Sequence, residues 1–501
     1  MIENIFQALG LGFSAVTTPE NLLFCLIGTL LGTLIGVLPG IGPVATIAML
    51  LPISFGLKPL SALIMLAGIY YGAQYGGSTT SILINLPGEA SSVATCLDGY
   101  QMALRGRGGA ALAVAALGSF FAGCVGTLLI ALFAPSLASF SQQFSSPEYF
   151  SLMVLGLISA IVLAHGSVIK AVAMIWVGLF LGLIGTDVNT GVARFTFEIP
   201  ELADGIGFVP VAVGLFGLSE IILNLEREQE RRLVSSKISG LWPTAKDLRD
   251  SWAAVVRGTL LGSVLGVLPG GGGVIASFAS YTVEKRLAKD PSRFGKGAIE
   301  GVAGPESANN AAAQTSFIPL LTLGIPSNAV MALMMGAMII QGIAPGPNVI
   351  QDHPQLFWGI ITSMWVGNLM LVVTNLPLVG VWVSLLRVPY RLLFPAILVF
   401  CCIGVYSLNS SAFEVGCTIF FGLLGYGFAK TGCDPAPLLL GFVLGPLMEE
   451  SLRRAMLISR GDPMVFIHRP ISAVLLIASV LLLVVLILPA IRKKREEAFQ
   501  E

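Results

Sequence analysis

The sequence predicts an all-α, polytopic transmembrane protein built as an inverted repeat with broken or re-entrant helices. At ~20 apolar residues per span, it has room for about 10–12 spans. Three observations predict this fold class. Of 501 residues, 55% are hydrophobic and only 11% charged, with a mean hydropathy of +0.86, where soluble domains carry about 25% charged residues. Gly36-Val37-Leu38-Pro39-Gly40-Ile41-Gly42-Pro43 returns as Gly266-Val267-Leu268-Pro269-Gly270-Gly271-Gly272-Gly273, each copy inside a long apolar run. Finally, equivalent connections in the two halves carry opposite charge character.

Residues 1–19 read as an interfacial lead, and no cleaved signal is expected, because no basic region precedes an apolar core. The first transmembrane repeat covers 20–224. Its opening span reaches the break at Leu38-Pro39, resumes at Val44 and stops near Lys58. Proline lacks the N–H a helix needs and clustered glycine loosens the backbone. Residues 60–75 lead into a polar stretch at 76–81, then a second break at Leu86-Pro87-Gly88-Glu89. Four plain spans follow near 110–134, 149–164, 168–186 and 208–224. The charged stretch 225–250 reads as a cytoplasmic linker.

The second repeat, 251–448, replays the first. A broken segment covers 252–282, a polar stretch runs from Gly304 to Asn310, and a second break lies at Leu323-Gly324-Ile325-Pro326-Ser327-Asn328. Thr80-Ser81 aligns with Thr315-Ser316. Spans near 356–386, 390–408, 412–429 and 434–448 follow. Residues 449–501 hold a connection, a last helix and a basic tail, Arg492-Lys493-Lys494-Arg495.

Basic residues favour the cytoplasmic side. The turn after the first broken segment has only Lys58, while its counterpart has Lys285, Arg286, Lys289, Arg293 and Lys296. Arg105 and Arg107 follow the first half's second break, while 344–354 has no Arg or Lys. The halves therefore insert with opposite orientation, the plan of many secondary transporters. The amino end is expected outside, the linker and carboxyl end inside. The connection 449–470 resists, because parity puts it outside although it holds Arg453, Arg454, Arg460 and Arg469.

Broken backbone survives in lipid only where protein or a water-filled cavity satisfies it. The breaks therefore mark a polar guest held between the halves. Helix N-termini favour anions, and unwound carbonyls with Asn, Ser or Thr oxygens suit a hard cation. The candidate substrate-binding residues of the first half are Pro39, Gly40, Gly42, Gly76, Gly77, Ser78, Thr79, Thr80, Pro87 and Gly88. Those of the second are Gly270, Gly271, Gly272, Asn310, Thr315, Pro326, Ser327 and Asn328. Ion coupling is assigned to Ser81, Asn85, Glu89, Glu306, Ser307 and Asn309. A helix is expected to start near Ser78, after Gly40, after Gly270, after Pro87 and after Pro326. A channel lined by the same loops is the alternative reading.

Other classes find no support. The seven cysteines show no metal spacing and His165, His353 and His468 stand apart, so neither a metal centre nor an enzyme is expected. Net charge is +0, with no basic face for nucleic acid. The expected cofactors are none, apart from a coupling ion, Na+ or H+.

The motifs 36–43, 304–312 and 323–327, with Tyr71-Gly72-Ala73-Gln74-Tyr75-Gly76-Gly77-Ser78 and Asn85-Leu86-Pro87-Gly88-Glu89, resemble the large membrane subunit of the tripartite tricarboxylate transporters. The likeness covers roughly 20–450. It implies a multi-pass permease of the bacterial inner membrane, working with a small membrane subunit and a periplasmic solute-binding protein. It also implies uptake of carboxylates such as citrate, driven by an ion gradient.

Overall fold

The computed structural model describes residues 2–38, 42–163, 167–187, 189–226, 241–268, 272–385 and 390–487. The first half contains α1 (Ile2–Val16), α2 (Pro19–Val37), α3 (Gly42–Phe55), α4 (Pro59–Ile84), α5 (Val93–Leu104), α6 (Gly108–Ser141), α7 (Ser146–Leu163) and α8 (Val168–Gly182). A two-residue antiparallel pair, β1 (Gly185–Thr186) and β2 (Ala193–Arg194), precedes α9 (Phe208–Glu226), whose middle, Val213–Leu218, widens into a π turn. The second half contains α10 (Ala245–Val267), α11 (Gly272–Leu287), α12 (Glu300–Thr315), α13 (Phe317–Leu323), α14 (Ala329–Ile340), α15 (Pro354–Asn375), α16 (Val379–Leu385), α17 (Tyr390–Asn409), α18 (Ala412–Lys430), α19 (Ala436–Ile458) and α20 (Pro470–Ile487). Among the described residues five helices, α2, α6, α9, α15 and α18, are long and apolar enough to cross a membrane. The fold is that of an all-α polytopic membrane protein.

Glycine spacing explains how the broken helices are held. Gly28, Gly32 and Gly36 lie one turn apart on α2, and a methyl added to any of them would strike the backbone of Met65, Ile69 or Ala73 on α4. Gly258, Gly262 and Gly266 of α10 meet Gly304, Ala308 and Ala312 of α12 in the same way. Lipid is as apolar as leucine, so helices in it associate through close backbone approach at small residues. The repeat is therefore visible in packing. The second-half helix α15 packs on α2 and α4, and the first-half helix α6 packs on α10 and α12.

Side-chain contacts place the connections. Gln341 donates to the Ser54 carbonyl at 2.7 Å, near the Lys58–Glu20 ion pair. Ser141, Phe144 and Tyr149 share a cavity with Ile343 and Asn348. At the other end Arg107 pairs with Asp247, and the buried Asp98 accepts from Gly297 and Ala298 at 2.7 and 2.8 Å. The unbroken 34-residue α6 separates these ends, about 50 Å at 1.5 Å per residue. The connection after each half's broken segment thus lies beside the connection after the other half's second break.

Several sequence expectations need correction. Residues 76–81 form no break and no helix starts near Ser78, because α4 runs unbroken through them. Their glycines and hydroxyls are the small residues of a tight helix contact. The polar stretch 304–310 likewise lies inside α12, which absorbs Pro305. The span expected at 356–386 divides at Asn375, and α6 and α19 extend beyond their expected ends. Residues 449–458 belong to α19, and their charges are paired. Arg453 meets Asp187 at 2.8 Å and Glu449 at 2.6 Å, Arg194 meets Glu449 at 2.7 Å, and Arg469 meets Glu148 at 2.6 Å. Residues 449–470 are thus divided between the last turns of α19 and a short connection to α20. Most of the charged linker (227–240) and the basic tail lie outside the described residues.

Candidate functional site

A cavity of about 640 Å³ lies where the breaks meet. Four helix N-termini converge on it, two from each half. Gly42 and Pro43 begin α3, and Gly272 and Gly273 begin α11. Pro87, Gly88 and Glu89 lead into the turn 90–92 that continues as α5, and Pro326, Ser327 and Asn328 lead into α14. Gly42 and Gly272 have φ of +54° and +38°, a left-handed conformation that side chains resist. This accounts for glycine at the same place in both copies. The second breaks also match. α4 ends on Asn85 and α13 on Gly324, with φ of 58° and 70°, the left-handed cap that glycine and asparagine accept.

The first four N–H groups of a helix have no partner inside it. Each N-terminus stabilises an anion by ~0.3–1 kcal/mol at the surface and up to ~2 kcal/mol when partly buried. No lysine, arginine or histidine is among the described residues lining the cavity, whereas Glu89, Glu220 and Asp434 are. Asn309 donates to Glu89 at 3.1 Å, Ser91 donates to Glu89, and the Gln74 amide, turned about, donates to Ser91 at 2.9 Å and reaches Glu89. Asn328 caps α14 by accepting from Met331 N–H at 3.0 Å, and its buried amide nitrogen has no partner.

The comparisons with known proteins agree with this architecture. The profile of the tripartite tricarboxylate transporter TctA family matches residues 22–440, a range that contains all four breaks. The chain belongs to that family. A relative from Agrobacterium vitis, named "Uncharacterized 52.8 kDa protein in TAR-I ttuC' 3'region", is 62% identical over 498 residues, 99% of each chain. A second from the same organism, "Uncharacterized protein in TAR-II ttuC' 3'region", is 65% identical over 240 residues, covering 48% of this chain and 99% of that one. No solved structure matches. This TctA-family chain is thus a transporter subunit, of a family whose members work with a small membrane subunit and a periplasmic binding protein.

The expected site residues of the TctA-family chain fall into three groups. Gly42, Pro87, Gly88, Glu89, Gly272, Pro326, Ser327 and Asn328 line the cavity, and Asn309 reaches it through Glu89. Pro39, Gly40, Gly270 and Gly271 lie outside the described residues. The rest line no part of it. Gly76 and Gly77 allow α2 and Gly88 to pack closely, and Thr80 donates to the Val37 carbonyl at 2.8 Å, satisfying the broken end of α2. Ser81 donates to Ser92, Thr315 to the Ala311 carbonyl of its own helix, and Asn310 to Ser119 at 2.7 Å. Ser307 is buried against Gly118, and Asn85 is exposed. Glu306, fully buried in α12, accepts from Ser78 at 2.6 Å and from Thr95.

Sequence reasoning missed much of the wall, including polar residues such as Gln74, Tyr70, Glu220 and Asp434. Gln74 had a signal, since it stands to Asn309 as Thr80 does to Thr315. Glu220 had one too, as an acid inside the span expected at 208–224, while Tyr70 and Asp434 had none. Asp434 precedes α19 and Glu220 follows the π turn of α9, and only tertiary packing brings them to the breaks.

Proposed function

We propose that this chain is the permease subunit of a binding-protein-dependent secondary transporter, taking up a tricarboxylate such as citrate, or a related organic acid, across the bacterial inner membrane by Na+ symport. H+ is the other coupling ion considered. The observation that carries the reading is the convergence of four helix N-termini on one cavity. The substrate carboxylates rest on these ends, with Gly42, Pro87, Gly88, Gly272, Ser327 and Asn328 as seats. The proposed substrate-binding set also includes Pro39, Gly40, Gly270 and Gly271.

Magnitudes argue for a coupling cation. Four helix ends at ~0.5–2 kcal/mol each give a few kcal/mol in favour of an anion. A single carboxylate ~6 Å away repels it by about 3 kcal/mol at an effective dielectric near 20. Glu89 stands in the wall with the neutral partners Asn309 and Ser91, so an anion is favoured when positive charge arrives with it. Glu89, with Asn309 beside it, is the coupling group at the cavity. The end that bears Arg105, Arg107, Lys285 and Arg293 faces the cytoplasm.

The test is uptake of labelled citrate and other di- and tricarboxylates into vesicles containing the three subunits, with and without a Na+ gradient. Uptake that needs the gradient supports symport. Uptake unchanged after both Na+ and H+ gradients collapse removes it.

A further inference from the structure

We propose a buried site for one monovalent cation between α4, α6 and α15, separate from the main cavity. It rests on reading the chain as an ion-coupled permease and places a second ion inside it.

A small cavity of about 20 Å³ lies there, lined by Tyr75, Ser78 and Thr79 of α4, Ser119 of α6 and Asn375 at the end of α15. Room for a single small occupant takes ~10–15 Å³. Of the polar groups around it, Ser78, Tyr75 and Asn375 direct their hydrogens elsewhere. Ser78 gives its proton to Glu306 at 2.6 Å and Tyr75 to Asn368 at 3.3 Å. Ser119 accepts from the Asn310 amide at 2.7 Å. The Asn375 amide nitrogen donates to Thr33 at 3.2 Å and to the Leu371 carbonyl at 2.9 Å. Its Oδ1 is buried and has no partner. The cavity therefore offers oxygen lone pairs and few donors, an arrangement for a hard cation and not for an anion.

Glu306 supplies the counter-charge. Its carboxylate is fully buried, accepts two hydroxyls, and has no ion-pair partner among the described residues. A buried charge without compensation is strongly unfavourable. A cation one hydroxyl away, on the far side of Ser78, provides it. One carboxylate balanced by neutral oxygens fits a single charge, and the volume fits Na+.

The experiment is equilibrium binding of radioactive Na+ to the purified full-length chain, with choline replacing Na+ at constant ionic strength and no carboxylate present. Saturable binding is expected, weakened about tenfold or more by Asn375→Ala, by Glu306→Gln and by the isosteric Thr79→Val, as for loss of a contact to a charged group. Absence of Na+ binding overturns the site. So does undiminished affinity in Thr79→Val and Asn375→Ala proteins that melt as the parent does. If Asn375→Ala does not fold, Thr79→Val, which keeps the shape of the side chain, decides alone. Failure of the transport reading is distinguishable, because Na+ binding lost in these variants supports the site even where carboxylate uptake is absent.

Discussion

The two kinds of break handle their helix starts differently. At the first breaks, α3 and α11 open on glycine in a left-handed conformation and present bare backbone to the cavity. At the second breaks a side chain stands at the start, Glu89 in one half and Asn328 in the other. The first pair shares a left-handed glycine, followed by Pro43 in one half and Gly273 in the other, while the second pair sets a carboxyl against an amide. On the proposed reading, the seat for an anion is main chain in both halves, and the asymmetry that couples an ion resides in one side chain.

The largest effect should come from breaking what makes the halves alike. Gly32→Leu and Gly262→Leu each drive a side chain into a neighbouring backbone, and each should cost more than ~3 kcal/mol, beyond ordinary overpacking. Both variants should fail to give a monodisperse peak on size-exclusion chromatography. A folded Gly262→Leu beside an unfolded Gly32→Leu would show that only the first zipper is essential.

Next comes the asymmetric pair. Glu89→Gln should lower Na+-driven uptake at least ~10-fold while leaving the protein folded, in line with loss of a charged contact. Asn328→Ala removes a cap worth about 1 kcal/mol and should raise KM about 5-fold with the Na+ dependence unchanged. Uptake assays across a Na+ series separate the two. Equal Na+ dependence in Glu89→Gln and the parent would end the assignment of coupling to Glu89.

A smaller change is expected at the glycine corners. Gly42→Ala and Gly272→Ala have open space for the methyl and meet only the backbone penalty of ~1–2 kcal/mol. Both should lower the melting temperature by similar amounts, and unequal shifts would mean the two corners differ in strain.

The smallest effect concerns the cluster at the end of α19. Hydrogen bonding from Arg453 pulls the Asp187 carboxyl from its ordinary 3.8 down to about 2. A depressed carboxyl contributes stability that is complete above its unfolded value and is lost as pH falls through the folded one. The cluster should therefore hold from neutrality to about pH 4 and loosen as the pH falls toward 2. Arg453→Gln should bring the folded value back toward 3.8 and so shrink this acid-dependent loss, measured by melting across an acid series.

How far the sequence could be read follows from what each signal reports. Leu38-Pro39 and Leu86-Pro87-Gly88 were legible as breaks because proline and glycine act on the local backbone. The stretch 76–81 was misread because Gly76, Gly77 and Ser78 look the same whether they unwind a helix or let another helix approach, and only the partner α2 decides. Asn85 looked like a ligand and is a left-handed helix end, a role set by one dihedral angle. Glu220 and Asp434 reach the cavity through contacts between distant elements, which carry no periodic trace. The opposite placement of equivalent connections was legible from charge, except at 449–470, where Arg453, Arg454, Arg460 and Arg469 ran against parity.

The cavity wall holds carboxylates but, among its described residues, no lysine, arginine or histidine. On the proposed reading, preference for negative guests is written into peptide dipoles that every amino acid brings with it. Exchanging individual side chains can retune how tightly or how fast such a guest is handled. Reversing its sign would require rebuilding the course of the polypeptide itself.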